Sequence, residues 1–270
     1  MRIALVSLDQ CWLDKDANFL RCVTLVSQAR KDGCDLIVFP EMTLTGYSLD
    51  MESVAEPEDS SATLAHFGNL AKNSGLSIAF GACLFDPSTN KFRNQFCLAR
   101  PDGISSAIYA KTHPFSFTGE DEVLEAGESL NCSKVGSLTF NASICYDLRF
   151  PELYSVMAAH CNAAIVIANW PVKRIGHWRA LLVARAIENQ FYMLGVNRIG
   201  VDGNGLTYEK STLVVTPNGV MLDPVIASEE IDIYDIDLEE VARYRDEFPT
   251  VRDKRYSLYH KFLGEHINAK

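Results

Sequence analysis

The feature that most constrains the fold is a series of short, continuous apolar runs separated by segments of helical periodicity. Three of these runs are RIALVSL at 2–8, DLIVF at 35–39 and AAIVIAN at 163–169. Apolar runs of this length are typical of strands covered on both faces. The segments at 16–31 and 176–190 repeat with the period of a helix instead. Strands and helices therefore alternate, which predicts an α/β architecture with helices covering the sheets.

The first two helical segments carry start and stop signals. A helix at 16–31 should end before Gly33, and a helix at 61–74 should end at Gly75. The residues expected on their buried faces are Ala17, Leu20, Val23, Val26 and Ala29 in the first helix, and Leu64, Phe67 and Ala71 in the second.

The remaining elements give more strands than one sheet usually holds. A loop is expected at 112–128, a helix from Pro151 and another helix over 238–248. The half-buried strand IDIYDID is expected at 231–237 because its residues alternate. About eleven or twelve strands and about four or five helices predict two sheets. The further strands are expected at 76–84, 92–99, 104–110, 138–144, 191–198 and on both sides of the Pro217-Asn218-Gly219 turn.

Composition favours one domain and a small-molecule partner. No linker or low-complexity stretch divides the chain, so a single domain is expected over 1–270, with a C-terminal tail from about 247. The net charge of −10 disfavours nucleic acid or an anionic membrane as a partner. The N-terminus lacks the pattern of a signal peptide, and no apolar run is long enough to span a bilayer.

The eight cysteines include no CxxC pair. Most lie in apolar runs, where cysteine usually serves as a small core residue kept reduced in the cytoplasm. The spacing does not predict a zinc site, and no other metal or cofactor is expected. We therefore expect a cytoplasmic protein.

Three polar residues stand directly beyond apolar strands. Glu41 follows LIVFP, Lys111 follows IYA and Cys145 follows TFNASI. Active sites of α/β proteins commonly form at the carboxyl ends of strands. A thiol needs a base to become a good nucleophile, and a cation can hold the oxyanion that forms on an attacked carbonyl. The three residue types therefore suit nucleophilic attack on an amide.

Three segments around these residues resemble the signature segments of the nitrilase superfamily of carbon–nitrogen hydrolases. They are FPEMTLTGY at 39–47, YAKTHPF at 109–115 and ICYDLRFPELY at 144–154. The resemblance implies a four-layer αββα sandwich of two mixed sheets flanked by helices. It also implies a triad of Glu41 as base, Lys111 as oxyanion holder and Cys145 as nucleophile, and it covers nearly the whole chain.

The resemblance implies a fourth catalytic residue and a substrate pocket. Glu120 matches a second glutamate that orients the triad or the substrate, with Glu122 as the alternative. The segments ANWPVKRIGHWRALLVARAIENQ and GVNRIGVDGNG resemble the omega-amidase branch, whose enzymes hydrolyse 2-oxoglutaramate and 2-oxosuccinamate. This branch implies that Arg149 holds a substrate carboxylate. The other residues expected at the substrate are Tyr146, through its backbone N–H, and Trp170 and Pro171 as pocket wall.

Alternatives remain at each of these positions. Arg149 would be structural if it paired with Asp147 or Glu152, and Trp170 could be a core residue. The substrate could also be deaminated glutathione, an N-carbamoyl amine or a nitrile, and a silent binding member of the family is a further alternative. Family members pair through the helices near the nucleophile, which implies a homodimer or a higher homo-oligomer.

Overall fold

The structure, a computed structural model, describes residues 1–267 and contains two large sheets and one two-stranded sheet. The strands are β1 (Arg2–Val6), β2 (Leu36–Val38), β3 (Glu56–Pro57), β4 (Ser77–Asp86), β5 (Lys91–Ala99), β6 (Ser105–Ala110), β7 (Ser133–Val135), β8 (Leu138–Ile144), β9 (Ala163–Ala168), β10 (Tyr192–Asn197), β11 (Gly200–Val201), β12 (Thr207–Tyr208), β13 (Leu213–Val215), β14 (Met221–Leu222), β15 (Ile226–Ala227) and β16 (Ile231–Asp235). The helices are α1 (Lys15–Lys31), α2 (Met51–Val54), α3 (Ala62–Ser74), α4 (Glu120–Val123), α5 (Pro151–Met157), α6 (Ile175–Asn189), α7 (Glu239–Glu247) and α8 (Tyr256–Ile267).

Both large sheets are mixed. The first has the order β15-β16-β1-β2-β4-β5-β6, with β3 beside the end of β4. Its strands β1, β2 and β4 are parallel, and its outer strands are antiparallel. The second sheet has the order β14-β13-β10-β9-β8-β7, with β8, β9 and β10 parallel. Each sheet therefore has three parallel strands at its centre, and the carboxyl ends of these strands lie at the same edge of the sheet.

Four layers result from the packing of these sheets. The inner faces of the two sheets bury a shared core that includes Leu5, Phe96, Phe140 and Leu194. Helices α1 and α3 cover the outer face of the first sheet, and α5 and α6 cover that of the second. The αββα sandwich of two mixed sheets predicted from the sequence is confirmed.

The predicted buried face of α1 is partly wrong. Val26 and Ala29 are buried, but Leu20 is 68% exposed and Val23 lies at the surface. Asn18 is buried instead, because its side-chain amide donates to the carbonyl oxygens of Cys11 at 2.7 Å and Leu44 at 2.8 Å. These polar contacts fix the rotation of the helix, which apolar periodicity alone does not reveal.

Two further expectations change. Strand β16 is covered on both faces, since Asp232 is buried in a 2.7 Å ion pair with Lys210. The expected loop at 112–128 contains one 3₁₀ turn and the short helix α4.

Beyond 247, α8 forms part of the expected tail. None of the helices within 1–267 is long and apolar enough to cross a membrane.

Candidate active site

Glu41 lies in a tight turn that follows β2. The turn packs on Gly81 of β4, where the Thr43 hydroxyl accepts from the Gly81 N–H at 3.0 Å. A Cβ atom at Gly81 would stand 2.4 Å from the Met42 nitrogen and 2.8 Å from the Glu41 Cα. Only glycine lets the turn approach this closely. The backbone of β4 thus determines where the Glu41 carboxylate stands.

Lys111 lies between two buried carboxylates. Its Nζ is 3.2 Å from Oε1 of Glu41 and 2.8 Å from Oε2 of Glu120. The two carboxylate side chains are fully buried and the ammonium nearly so. The structure thus brings Glu120 to the lysine, whereas the alternative residue, Glu122, is exposed at the surface.

Two asparagines complete the shell around Glu41. Asn94 of β5 donates to Oε1 of Glu41 at 2.8 Å and to Oε1 of Glu120 at 3.3 Å. Asn169, which follows β9, donates its backbone N–H to Oε2 of Glu41 at 2.9 Å. The Asn169 side chain also donates to the Glu41 carbonyl at 2.8 Å. Both carboxylate oxygens of Glu41 are therefore held in fixed directions.

Cys145 occupies a sharp turn at the end of β8. Its φ angle of 46° lies in the left-handed region, which a non-glycine residue adopts at a cost. Asp147 fixes this turn by accepting from the Ile144 N–H at 3.0 Å and from the Tyr109 hydroxyl at 2.7 Å. The same carboxylate accepts from the backbone of His113 at 3.0 Å. It thereby ties the nucleophile turn to the segment that follows Lys111.

Burial and charge set the protonation of the site. Burial raises the pKa of the Cys145 thiol well above its usual value, and the negative charge of Glu41 adds to this, while Lys111 opposes it. Burial acts to lower the pKa of Lys111, but Glu41 and Glu120 outweigh it and hold that pKa well above its usual value. The site at rest therefore holds an ammonium and a neutral thiol.

A cavity of about 250 Å³ opens onto this cluster. Glu41 and Cys145 form part of its wall. The predicted pocket residues also line it, and they are Tyr146, Arg149, Trp170 and Pro171. Trp170 is both wall and core, because it is nearly fully buried and its ring packs against Trp178.

Arg149 forms an ion pair with neither Asp147 nor Glu152. Its guanidinium lies 4.7 Å from the centre of the Trp170 ring and 3.4 Å from Nδ1 of His177. Asp147 is already occupied by the contacts described above, and among the described side chains no carboxylate pairs with Arg149. Arg149 is therefore a cation at the cavity wall that is open to an anion.

Several residues of the site were missed from the sequence. Asn169 directly follows a buried strand, as Cys145 does, so its position in the sequence could have predicted it as a site residue. Asn94 lies inside β5 and carries no such signal. The other missed residues line the cavity and are Tyr47, Phe115, Phe117, Thr118, Lys173, Arg174, Leu206 and Tyr208. Over the part of the chain that is described, no cluster of three or more His, Cys, Asp or Glu side chains could hold a metal ion.

Comparison with known proteins identifies the family to which this fold belongs. A model of the carbon-nitrogen hydrolase family matches residues 2–246. The chain is 31% identical over 256 residues to omega-amidase YafV of Yersinia enterocolitica, covering 94% of this chain and 96% of that protein. It is 30% identical over 227 residues to the 2-oxoglutaramate amidase of Bacillus subtilis, covering 83% and 86%.

Solved structures agree with the sequence relatives. XC1258 of Xanthomonas campestris, a CN-hydrolase superfamily protein with an arsenic adduct in its active site, matches with a TM-score of 0.85 and 30% identity. That match covers 94% of this chain and 97% of the other. Nit3 of Saccharomyces cerevisiae, in branch 10 of the nitrilase superfamily, matches with a TM-score of 0.78 and 29% identity, covering 92% and 94%.

The αββα sandwich has Glu41 and Cys145 on the wall of one cavity, with Lys111 beside Glu41, and the family match makes the chain a hydrolase of carbon–nitrogen bonds. The chain belongs to the carbon-nitrogen hydrolase family of the nitrilase superfamily, as its signature segments predicted.

Proposed function

We propose that the protein hydrolyses the terminal amide of a short 2-oxo acid, such as 2-oxoglutaramate or 2-oxosuccinamate, to the dicarboxylate and ammonia. The observation that carries this proposal is the buried ammonium of Lys111 between Glu41 and Glu120, beside the cavity that contains Cys145. Glu41, Lys111 and Cys145 each have a distinct role in the reaction, and Glu120 holds the Lys111 ammonium in place.

Glu41 is the general base. The Cys145 thiol is neutral at rest because burial and neighbouring carboxylates raise its pKa, so attack requires a proton acceptor. Glu41 takes that proton as the sulfur bonds to the amide carbon. Its two oxygens are aimed by Asn94, Lys111 and Asn169, which limits the carboxylate to one productive orientation.

Lys111 and the Tyr146 backbone N–H hold the oxyanion that forms on the amide oxygen. The proton on Glu41 then passes to the amide nitrogen, the carbon–nitrogen bond breaks, and ammonia leaves behind a thioester. Glu41 next takes a proton from water as the water oxygen attacks the thioester carbon. The carbon–sulfur bond breaks, the thiol regains its proton and the new carboxylic acid is released.

Arg149 holds the carboxylate at the far end of the substrate. A guanidinium can bind a carboxylate through two parallel hydrogen bonds, and Arg149 has no competing carboxylate among the described side chains. Lys173 and Arg174 also line the cavity and add positive charge in a chain whose net charge is −10. The distance from Arg149 to Cys145 then selects the chain length of the substrate.

The names of the relatives support an omega-amide as substrate. Proteins named omega-amidase or 2-oxoglutaramate amidase recur among relatives at about 30% identity. The test is an ammonia-release assay over omega-amides, deaminated glutathione, N-carbamoyl amines and nitriles. We expect the highest kcat/KM on a short omega-amide that carries a carboxylate. A preference for any other class would reject the substrate assignment, and no turnover on any class would favour a silent binding member.

We further propose a homodimer formed through α5 and α6. Val156 and Ile187 of these helices are 44% and 49% exposed, so pairing would cover apolar surface. Light scattering at micromolar concentration should give twice the chain mass, and a monomer would contradict the proposal. The cytoplasm is the proposed compartment, since five of the eight cysteines are buried small residues of the kind that usually stay reduced there.

A further inference from the structure

Two cysteines remote in sequence meet in the fold. The Sγ atoms of Cys132 and Cys161 are 3.2 Å apart, although the residues are separated by 29 positions. Cys132 is exposed just before β7, and Cys161 is buried just before β9. The sequence contains no hint of this pair, because neither cysteine belongs to a paired motif. One thiol is thus open to solvent and the other lies directly behind it.

The backbone on both sides of the pair is anchored. Asn131, beside Cys132, donates to the Ile108 carbonyl at 2.7 Å and to the Ser133 hydroxyl at 3.0 Å. Arg245 donates to the Cys161 carbonyl at 3.1 Å. These contacts hold the two sulfurs together in the folded protein. A disulfide has a sulfur–sulfur distance of about 2.05 Å, so side-chain rotation need close only a small gap.

We propose that Cys132 and Cys161 form an oxidation site that a peroxide converts to an intramolecular disulfide. The Cys132 sulfur attacks one peroxide oxygen, the oxygen–oxygen bond breaks, and water leaves with a sulfenic acid on Cys132. The Cys161 sulfur then attacks the Cys132 sulfur. The sulfur–oxygen bond breaks, and the hydroxyl leaves as a second water with the Cys161 proton. Two thiols are oxidised and one hydrogen peroxide is reduced to two waters.

The order of events follows from exposure. Cys132 is the thiol that meets solvent, whereas burial raises the pKa of the Cys161 thiol and keeps it protonated. The Cys161 sulfur hydrogen-bonds to the Cys132 sulfur, so the second thiol is in place before the first reacts. Rapid closure of the disulfide protects Cys132 from further oxidation.

The pair lies at the end of the second sheet that is remote from the catalytic site. Ser133 is in register with Phe140, and Phe140 with Ala163, which places the pair at the amino end of β9. Asn169 follows the carboxyl end of that strand, roughly 20 Å away at about 3.3 Å per residue. Formation of this disulfide therefore does not consume the Cys145 thiol.

Peptide mapping of the full-length protein after brief exposure to hydrogen peroxide tests the proposal. Trypsin cleaves after Lys111, Lys134, Arg149 and Lys173, so Cys132, Cys145 and Cys161 fall in three different peptides. We expect peptide 112–134 to be joined to peptide 150–173 without reductant and released by dithiothreitol. Peptide 135–149, which contains Cys145, should stay outside that product.

Three cysteine variants test whether the joined peptides depend on Cys132 and Cys161. Cys132→Ser and Cys161→Ser should each abolish the joined peptides, whereas Cys11→Ser, which removes a half-buried thiol elsewhere, should retain them. The native protein should form the link at least tenfold faster than the protein unfolded in urea, because only the fold brings the sulfurs together. Equal rates in the two states, or recovery of Cys132 as an unlinked sulfonic acid, would overturn the proposal.

Discussion

The backbone N–H of Asn169 donates a 2.9 Å hydrogen bond to Oε2 of Glu41 across 128 residues of sequence. Glu41 follows β2 of the first sheet, and Asn169 follows β9 of the second. The proposed base is therefore oriented by the sheet that carries the proposed nucleophile. The contacts at this junction fix the direction of the Glu41 carboxylate.

Asn169→Ala should lower kcat/KM about tenfold, because it removes the side-chain hydrogen bonds to the Glu41 carbonyl at 2.8 Å and to Oε2 of Glu41 at 3.4 Å. A hydrogen bond contributes about 0.5–1.5 kcal/mol, and about 1.4 kcal/mol corresponds to a tenfold change in rate. The backbone N–H remains, so activity should not vanish. Steady-state kinetics on an omega-amide provide the measurement. Asn141→Ala is the control, since Asn141 is a buried asparagine of the same sheet that bonds Leu153 instead. Equal losses in both variants would indicate general destabilisation.

Glu41→Gln should separate the role of Glu41 as a base from its electrostatic role. The Glu41 charge helps to raise the Cys145 pKa, so removing that charge should lower this pKa and increase the thiolate fraction at a given alkaline pH. Alkylation of Cys145 by iodoacetamide should therefore shift to lower pH, while hydrolysis falls about a hundredfold or more. Retained turnover, or a shift of alkylation to higher pH, would refute the assigned role.

Lys111→Met should reduce kcat about a hundredfold or more through loss of an oxyanion contact. It should also lower the thermal midpoint, because two buried carboxylates lose their shared cation. Lys210→Met is the matched control, since it removes the cation that pairs with buried Asp232 away from the cavity. The control should lose stability and keep kcat. A Lys111→Met protein with full turnover would exclude the oxyanion role.

Gly81→Ala should displace the Glu41 turn. The added methyl would meet the Met42 nitrogen at 2.4 Å, and relief of such an overlap costs about 1–3 kcal/mol. We expect a lower free energy of unfolding together with a lower kcat, measured by denaturation and by ammonia release. Gly176→Ala serves for comparison, because nothing lies within 4 Å of a Cβ there. Unchanged activity in Gly81→Ala would show that the turn adjusts without moving the carboxylate.

Arg149→Ala should raise KM for acidic amides by an amount equivalent to about 2–4 kcal/mol and spare neutral amides such as butyramide. Arg149→Lys should restore only part of the lost affinity for acidic amides, since lysine cannot form two parallel hydrogen bonds with a carboxylate. Lys173→Ala should have a smaller, salt-dependent effect because this side chain is exposed. Equal losses on acidic and neutral amides would make Arg149 structural.

The sequence was informative where a local pattern carried the answer. Continuous apolar runs predicted the strands that end near Glu41 and Cys145, and the signature segments predicted the family and the αββα sandwich. The helix ending before Gly75 also agrees with the structure, where Gly75 has a φ of 71° that glycine adopts readily.

Long-range polar contacts could not be predicted in the same way. Asn94 reaches Glu41 from the interior of β5, where its neighbours in sequence resemble those of any buried strand. The rotation of α1 follows from hydrogen bonds of Asn18 to Cys11 and Leu44, so Leu20 faces solvent despite its apolar character. Both features arise only when distant segments have already packed together.

The division of the site between the two sheets has a consequence for partly unfolded molecules. Glu41 and Lys111 follow strands of the first sheet, whereas Cys145 and Asn169 follow strands of the second. If one sheet moved relative to the other, turnover would be lost even though each sheet kept its strands. Enzymatic activity therefore reports on the packing of the two sheets against each other. In a denaturant series, activity should be lost at a lower denaturant concentration than the circular dichroism signal of the strands.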